Sequence, residues 1–288
     1  MDGIVLINKE KNCTSRDVVN QVSKILKTKK IGHTGTLDPI ATGVLVLCIG
    51  KATKLVEVIT SYDKEYEAEV ILGIKTDTKD ITGEILKEEK AIISKENIEK
   101  CLKQMIGTYN QTVPIYSAVK INGKKLYEYA RNNEEIELPK RKVTIKELKL
   151  ISDITYEKEK TKFKIKCHVS KGTYIRSLIE DIATNLNTIG TMENLKRTKQ
   201  GNFQITSANT IQDIENNKFK IYSIEEILEK FYKIEMTDDL YFKIKNGSII
   251  KNNYNHDIVA FTKNDKVIAI YKEYSKDSMC IGHLPMNV

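Results

Sequence analysis

Apolar residues along the chain recur at two spacings, and these sort it into strands and helices. The continuous run Ile4–Ile7 reads as a short buried strand, as does Val44–Ile49, which ends at Gly50. Two stretches alternate instead: Tyr66, Ala68, Val70 and Leu72 share one face, and so do Phe163, Ile165, Cys167 and Val169. Helical spacing predicts three longer helices. The first opens at Thr14-Ser15, carries Val18, Val22, Ile25 and Leu26, and closes on Lys27–Lys30, where cations favour a helix C-terminus. The second starts at Ser94, carries Ile98, Cys101, Leu102, Met105 and Ile106, and stops at Gly107. The third starts at Thr173-Tyr174-Ile175-Arg176 and continues through Leu178, Ile179, Ile182 and Leu186.

Between these lie less regular pieces. Gln111–Lys120 reads as extended, followed by an Asn122-Gly123 turn and a short basic, tyrosine-bearing helix over Lys124–Arg131. Asn132–Lys142 reads as a charged connection, and Leu195–Phe203 as a basic loop leading to a strand at Phe203–Ile205. A short helix is expected over Ser223–Phe231. Beyond about residue 233 the texture changes to short alternating pieces, Tyr241–Ile244, Ser248–Ile250, Ile258–Phe261 and Val267–Tyr271, which predict a small β domain. The expected class is α+β, with residues 1–233 forming the larger domain and 234–288 the smaller. No internal repeat or low-complexity tract interrupts it.

The charge balance adds a partner. The net charge is +8 and the isoelectric point is about 9.0. From Glu235 to Val288 seven Lys balance seven Asp and Glu, so the whole excess precedes residue 235. Such asymmetry suits a polyanion, and a generally lysine-rich composition accounts for it equally well. Basic residues interleaved with tyrosines point the same way, since rings stack on unpaired bases and cations meet phosphates. The five cysteines are far apart and include no Cys-x-x-Cys pair, which fits reduced thiols better than a disulfide frame or zinc site. The first residues lack the basic start and apolar core of a signal peptide. No apolar run reaches the ~20 residues of a membrane helix. A cytoplasmic, soluble protein is expected.

Candidate chemistry centres on Ile31–Gly50. Its first half, Gly32-His33-Thr34-Gly35-Thr36-Leu37-Asp38-Pro39, is rich in turn residues and holds one acid, Asp38. Pro39 disfavours helix at Asp38, so a stiff loop braced by the following strand can present a single carboxylate. Asp-Pro is equally a helix start, with Asp as cap and Pro at the first position. Gly50-Lys51 is followed by Ala52 rather than Ser or Thr, which excludes a nucleotide-triphosphate loop. Asp77 and Asp80 lack the oxygen-ligand density of a calcium loop and read as loop caps. Tyr66 ends a buried strand face, where a core tyrosine is the ordinary case. Arg176 sits in a helix first turn, where the dipole disfavours a cation by about 0.3–1 kcal/mol, a cost that hints at an acidic partner elsewhere.

Gly32–Leu45 closely resembles the signature of the TruB family of tRNA pseudouridine synthases. Further stretches resemble that family in the same order: Lys64-Glu65-Tyr66 with Leu72-Gly73 and Thr76-Asp77-Thr78; Gln111–Lys120 with Gly123, Leu126-Tyr127 and Ala130-Arg131; Ser170–Arg176; and Leu195–Phe203. The tail is similar to the reduced, PUA-like C-terminal domain of bacterial members. Departures are Glu10 and Asn12 where a Pro and a Gly are usual, Val113 in place of the first of two prolines, and Lys196 in place of Arg. These bear on loop rigidity and RNA contact, not on Asp38, Tyr66 or Arg176.

The resemblance implies a pseudouridine synthase fold: a mixed, mainly antiparallel sheet flanked by helices, with an RNA-binding insertion at about 120–150. It implies conversion of uridine 55 in the TΨC loop of tRNA to pseudouridine, with no cofactor, metal or nucleotide, by a monomer. Asp38 would be the nucleophile, attacking C1′ or C6 of the base or promoting a glycal. Arg176 would pair with it, and Tyr66 would stack on the base and move a proton. Tyr174 and Leu195 would line the base pocket. His33 would fill the gap left by the flipped uridine, with a turn-stabilising role as its alternative. Lys9 and the basic clusters 27–30, 140–142 and 196–199 would meet phosphates. A non-catalytic RNA-binding tRNA folding factor and a dyskerin-type, guide-RNA-dependent synthase are the competing readings.

Overall fold

The computed structural model describes residues 1–281 except 230, 255, 257, 276 and 277; the side chains of Tyr274, Ser275, Ser278, Cys280 and Ile281 also lie outside the described part. Seven strands form the main path of a ten-stranded sheet, onto which Ile31–His33, Thr155–Glu157 and Phe203–Gln204 also pair: β1 (Gly3–Lys9), β2 (Thr42–Ile49), β3 (Lys64–Leu72), β4 (Gly107–Thr112), β5 (Lys140–Leu150), β6 (Lys160–Val169) and β7 (Gly190–Gln200). Their spatial order is β1-β2-β7-β3-β6-β5-β4. Only the β2–β7 pair is parallel along this path, so the sheet is mixed and mainly antiparallel.

β1 and β2 are buried on both faces, which is why they read as continuous apolar runs. Val5, Ile7, Leu45, Leu47 and Ile49 face one core, and Ile4, Leu6, Val44, Val46 and Cys48 the other. Three helices cover the first face: α1 (Ser15–Ile25), α2 (Lys95–Gln104) and α4 (Ile175–Asn185). A shorter α3 (Leu126–Arg131) lies in the excursion between β4 and β5. Thr14 and Ser94 cap α1 and α2 through their hydroxyls, as the capping preferences predict. The opposite face is covered under β1 and β2 by Gly50–Leu55, Val56–Thr60 and Ile224–Leu228. Elsewhere that face carries ion pairs: Glu65 with Lys166 and Lys199, Glu69 with Lys164, and Glu193 with Lys162. Alternation along β3 and β6 is thus apolar inward and charged outward.

Three segments differ from the sequence reading. Leu195–Phe203 is not a loop: it forms the end of β7 and a turn into Phe203–Gln204, at the centre of the sheet. Irregularities after Met192 and Arg197 shift the pleat and hide the alternation. Lys140–Lys142 belongs to β5, which pairs with β4 and β6, so of the segment 120–150 only residues before 140 leave the sheet. Tyr241–Ile244 is helical, inside Asp238–Lys245. Thr237 caps that helix, Asp238 and Asp239 occupy its first turn, and Lys243 and Lys245 its last.

The C-terminal unit is a five-stranded sheet in the order β8-β10-β11-β12-β9, where β8 is Tyr232–Glu235, β9 Ile250–Lys251, β10 Ile258–Lys263, β11 Lys266–Ser275 and β12 Ser278–Ile281. Val259, Phe261, Ala269, Tyr271 and Met279 form its core, together with Met236 and Ile244. Ile270 points the other way, into the apolar cluster under β1 and β2.

Candidate active site

The loop between Ile31–His33 and β2 carries Asp38. The Asp38 C=O accepts from the Ala41 N–H at 3.0 Å, closing a β-turn with Asp first and Pro39 second, positions these residues favour. No helix starts here, so Asp38 is not a cap. The loop is pinned on three sides. Ser15, at the start of α1, bonds Leu37 N–H at 2.9 Å and Leu37 C=O at 3.2 Å. Arg197 of β7 donates to Gly35 C=O and Val44 C=O. Gln200 donates to both oxygens of Thr34. Gly43 completes this seat: at φ +107° its missing side chain lets the Arg197 backbone pass, since a Cβ would lie 2.2 Å from the Arg197 oxygen.

Lys9 closes the fourth side. It is buried, and its ammonium donates to the backbone C=O of Glu10, Pro39 and Ala41 at 2.8, 3.3 and 2.6 Å. Burial lowers its pKa, opposed partly by Asp38. An ammonium so enclosed holds the turn and is out of reach of a phosphate, unlike the role expected from sequence.

Arg176, on the first turn of α4, meets Asp38 with two nitrogens: Nε to Oδ2 at 3.0 Å and Nη2 to Oδ1 at 3.3 Å. The fork geometry matches a carboxylate. Two of its three remaining N–H groups go to Thr78 C=O and Tyr116 C=O, each at 3.0 Å, and Asp80 lies 4.0 Å from Nη1. Asp80 is itself held by Thr78 and Thr82, which is loop capping as read from sequence, now placed behind the arginine. Arg176 is buried, whereas the Asp38 side chain keeps 34% of its surface open. Crowding by protein around the carboxyl pushes its pKa above the ordinary value; Arg176 and Lys9 pull it down, and Asp80 pushes it up.

Asp38 opens into a cavity of about 1000 Å³. Tyr66, Tyr174, Leu195, Tyr116 and Tyr127 supply its apolar and aromatic walls. Its cations are Lys64, Arg141, Lys142, Lys171, Arg176 and Arg197, and Asp38 is the one carboxylate among the described residues that line it. Arg141, Lys142 and Lys171 are exposed at the rim. Tyr66 sits opposite Arg197 in the β3–β7 register and is buried. Burial raises its hydroxyl pKa, against the pull of Arg197, so at neutral pH it is a phenol. Lys64 donates to Thr60 C=O and Tyr62 C=O, and burial lowers its ammonium to about 8.

Sequence reasoning thus placed Asp38, Tyr66, Arg176, Tyr174 and Leu195 around what proves to be one cavity. His33 is outside its lining. Its Nδ1 accepts from the Gly35 N–H at 3.4 Å, the turn-stabilising alternative, and burial lowers its pKa. Lys64, already part of a family-like motif, and Asp80, already read as a loop cap, gain a place at the site only from the structure, as do the Thr78 and Tyr116 carbonyls; Arg197, expected among the phosphate contacts, is buried in the sheet. Among the described residues no three His, Cys, Asp or Glu side chains cluster as metal ligands, and no helix is long and apolar enough to cross a membrane.

The model of the TruB family pseudouridylate synthase N-terminal domain matches residues 23–175. tRNA pseudouridine synthase B of Bacillus cereus is 42% identical over 96% of this chain and 94% of its own length. The chain belongs to the TruB family. The Bacillus licheniformis relative of the same name is 40% identical over 94% of this chain and 92% of its own. Among solved structures, a chain of a Cbf5–Nop10–Gar1 complex is similar with a TM-score of 0.70 and 23% identity, covering 97% of this chain and 83% of that one. A chain of an H/ACA RNP bound to a substrate RNA containing 2′-deoxyuridine gives a TM-score of 0.67 at 21% identity, covering 98% and 84%. At that identity the likeness concerns the fold alone, the pseudouridine synthase fold. As a TruB family member the chain is a tRNA pseudouridine synthase, an isomerase acting on tRNA.

Proposed function

We propose that this enzyme isomerises uridine 55 in the TΨC loop of tRNA, with Asp38 as nucleophile and the target base flipped into the cavity. The observation that carries the reading is the lone Asp38 carboxylate, gripped by Arg176 and open to a cavity whose other charged lining side chains, among the described residues, are all cations and which is rich in tyrosine. A polyanion is drawn to such a cavity, while a single acid facing it would only weaken binding unless it reacts.

The base leaves C1′ with the glycosidic electron pair on N1, turns, and forms a C5–C1′ bond; C5 loses a proton and N1 gains one. Asp38 attacks the ribose C1′ and is displaced when C5 bonds there, or adds to C6 of the base and is expelled after the C5–C1′ bond has formed. Arg176 keeps both carboxylate oxygens oriented, each retaining a lone pair for the substrate. Tyr66 stacks on uracil and, as a neutral phenol, exchanges a proton with it. Tyr174 and Leu195 hold the flipped base. Arg141, Lys142 and Lys171 take the flanking phosphates. The protein acts in the cytoplasm as a monomer, with 1–233 as catalytic domain and 234–288 as a PUA-like RNA-binding domain.

The test is tritium release from a tRNA transcript carrying uridine labelled at C5, with no guide RNA added. Release from the normal transcript and its loss on replacing U55 by C are expected. Binding without release supports the folding-factor alternative, and release that requires added RNA supports the guide-dependent one.

A further inference from the structure

We propose that Gln111 is a positioning residue for this reaction: its side chain grips both backbone groups of Tyr174 and so fixes the helix start from which Arg176 holds Asp38. Helix α4 has no side-chain cap of its own. Instead, Gln111 of β4 reaches across. Its Oε1 accepts from the Tyr174 N–H at 2.8 Å, and its Nε2 donates to the Tyr174 C=O at 3.2 Å. The second Nε2 hydrogen goes to the Tyr109 hydroxyl at 2.9 Å, which donates to Asp181 Oδ2 at 2.7 Å. Gln111 is 1% exposed, and each of its amide hydrogens has a partner.

Tyr109 and Gln111 lie on one face of β4, while Tyr174 and Asp181 are about two turns apart on α4. The strand therefore holds the helix at two points with Arg176 between them. A fourth bond, Ser177 Oγ to Thr112 C=O at 2.9 Å, runs between the same elements. Nothing intrinsic to α4 favours a cation in its first turn. The direction of the guanidinium is set by where the helix begins, and an amide is suited to fix that point because it donates and accepts at once without titrating. Positioning errors of about 1 Å remote from the reacting atoms cost about 100-fold in rate.

The test uses the full chain, comparing Gln111→Met, of similar length but without the polar contacts, with Leu148→Ala, a core deletion in β5 beyond its pairing with β4. Two readouts are taken: kcat and KM on the labelled transcript, and the Asp38 titration followed by carboxyl-carbon NMR. The groups facing Asp38 are Arg176 from α4, Asp80 from the loop after β3, Lys9 from β1 and Tyr66 from β3. Gln111→Met is expected to lower kcat by about 10- to 100-fold with KM within about threefold, and to raise the Asp38 midpoint as the opposing arginine loosens. Leu148→Ala is expected to lower the melting temperature without moving the midpoint. If Gln111→Met only lowers the melting temperature, leaving kcat and the Asp38 midpoint at wild-type values, the proposal is wrong. Should it not fold, Gln111→Asn, too short to span both Tyr174 groups, carries the same comparison. The kinetic readout rests on the activity proposed above, and the NMR readout does not. An inactive wild type therefore counts against that activity alone.

Discussion

Arg176 meets Asp38 across 138 residues of chain, with two nitrogens on two oxygens. The pair joins the turn before β2 to the first turn of α4, elements that share no regular hydrogen bonding. Each partner sits where its own local structure gives little support: a carboxyl partly stripped of water, and a cation at the positive end of a helix. Together they offset part of each cost while leaving part of the carboxylate open.

Replacing Arg176 by Lys keeps the charge but not the fork. An ammonium cannot engage both Asp38 oxygens and also the Thr78 and Tyr116 carbonyls. We expect kcat to fall by about 100-fold or more while tRNA affinity changes less than about threefold. Single-turnover rates and filter binding on the same preparation check both.

The pH dependence follows from the sign of the Asp38 shift. Its carboxyl holds a proton to a higher pH than an ordinary aspartate does, because burial outweighs Arg176. The anion proposed as nucleophile is therefore lost as pH falls through a value above the usual ~3.9. The acid limb of the kcat profile should lie above that value, and higher still in Arg176→Ala. A rate profile flat to the acid edge of tRNA stability would contradict this.

Lys9 and the rim cations should separate in their salt response. Lys9→Met takes the ammonium from the Ala41 carbonyl and leaves Pro39 C=O with the Asn12 N–H alone, which costs about 1–3 kcal/mol of stability and disturbs the turn that carries Asp38. It should lower kcat yet leave the salt dependence of tRNA binding unchanged. Arg141→Ala and Lys142→Ala should do the reverse, each lowering the logarithmic salt slope by about 1 at little cost in kcat. Binding titrations at several salt concentrations distinguish the two patterns.

Tyr66→Phe preserves the ring and removes the hydroxyl. If that hydroxyl moves a proton, kcat falls by about 100- to 10,000-fold with tRNA binding retained. Tyr66→Leu should additionally weaken binding by removing the stacking surface. Rates and affinities of the two variants, measured side by side, test the division between ring and hydroxyl.

Much of this site was legible in the sequence, and the gaps have physical causes. Strands β1, β2, β3 and β6 declare themselves by continuous or alternating apolar residues. β7 does not, because its irregular pleat puts Leu195, Arg197 and Gln200 all inside, out of period 2. A buried Arg197 then reads as one more surface cation. Lys9 misleads in the same way: a lysine in a polar turn looks solvated, and only the fold reveals three carbonyls around it. Asp80, Thr78 and Tyr116 support Arg176 through long-range contacts, two of them backbone, which no spacing along the chain encodes.

The most direct measurement is product formation by Asp38→Asn, an isosteric change that removes the anion. Tritium release from C5-labelled tRNA is followed under single-turnover conditions, with tRNA affinity determined in parallel. We predict release at background and affinity within about threefold of wild type, as for removal of a group that acts mainly in the transition state. Release at the wild-type rate, with the substitution verified by mass, would show that the reaction does not pass through this carboxylate.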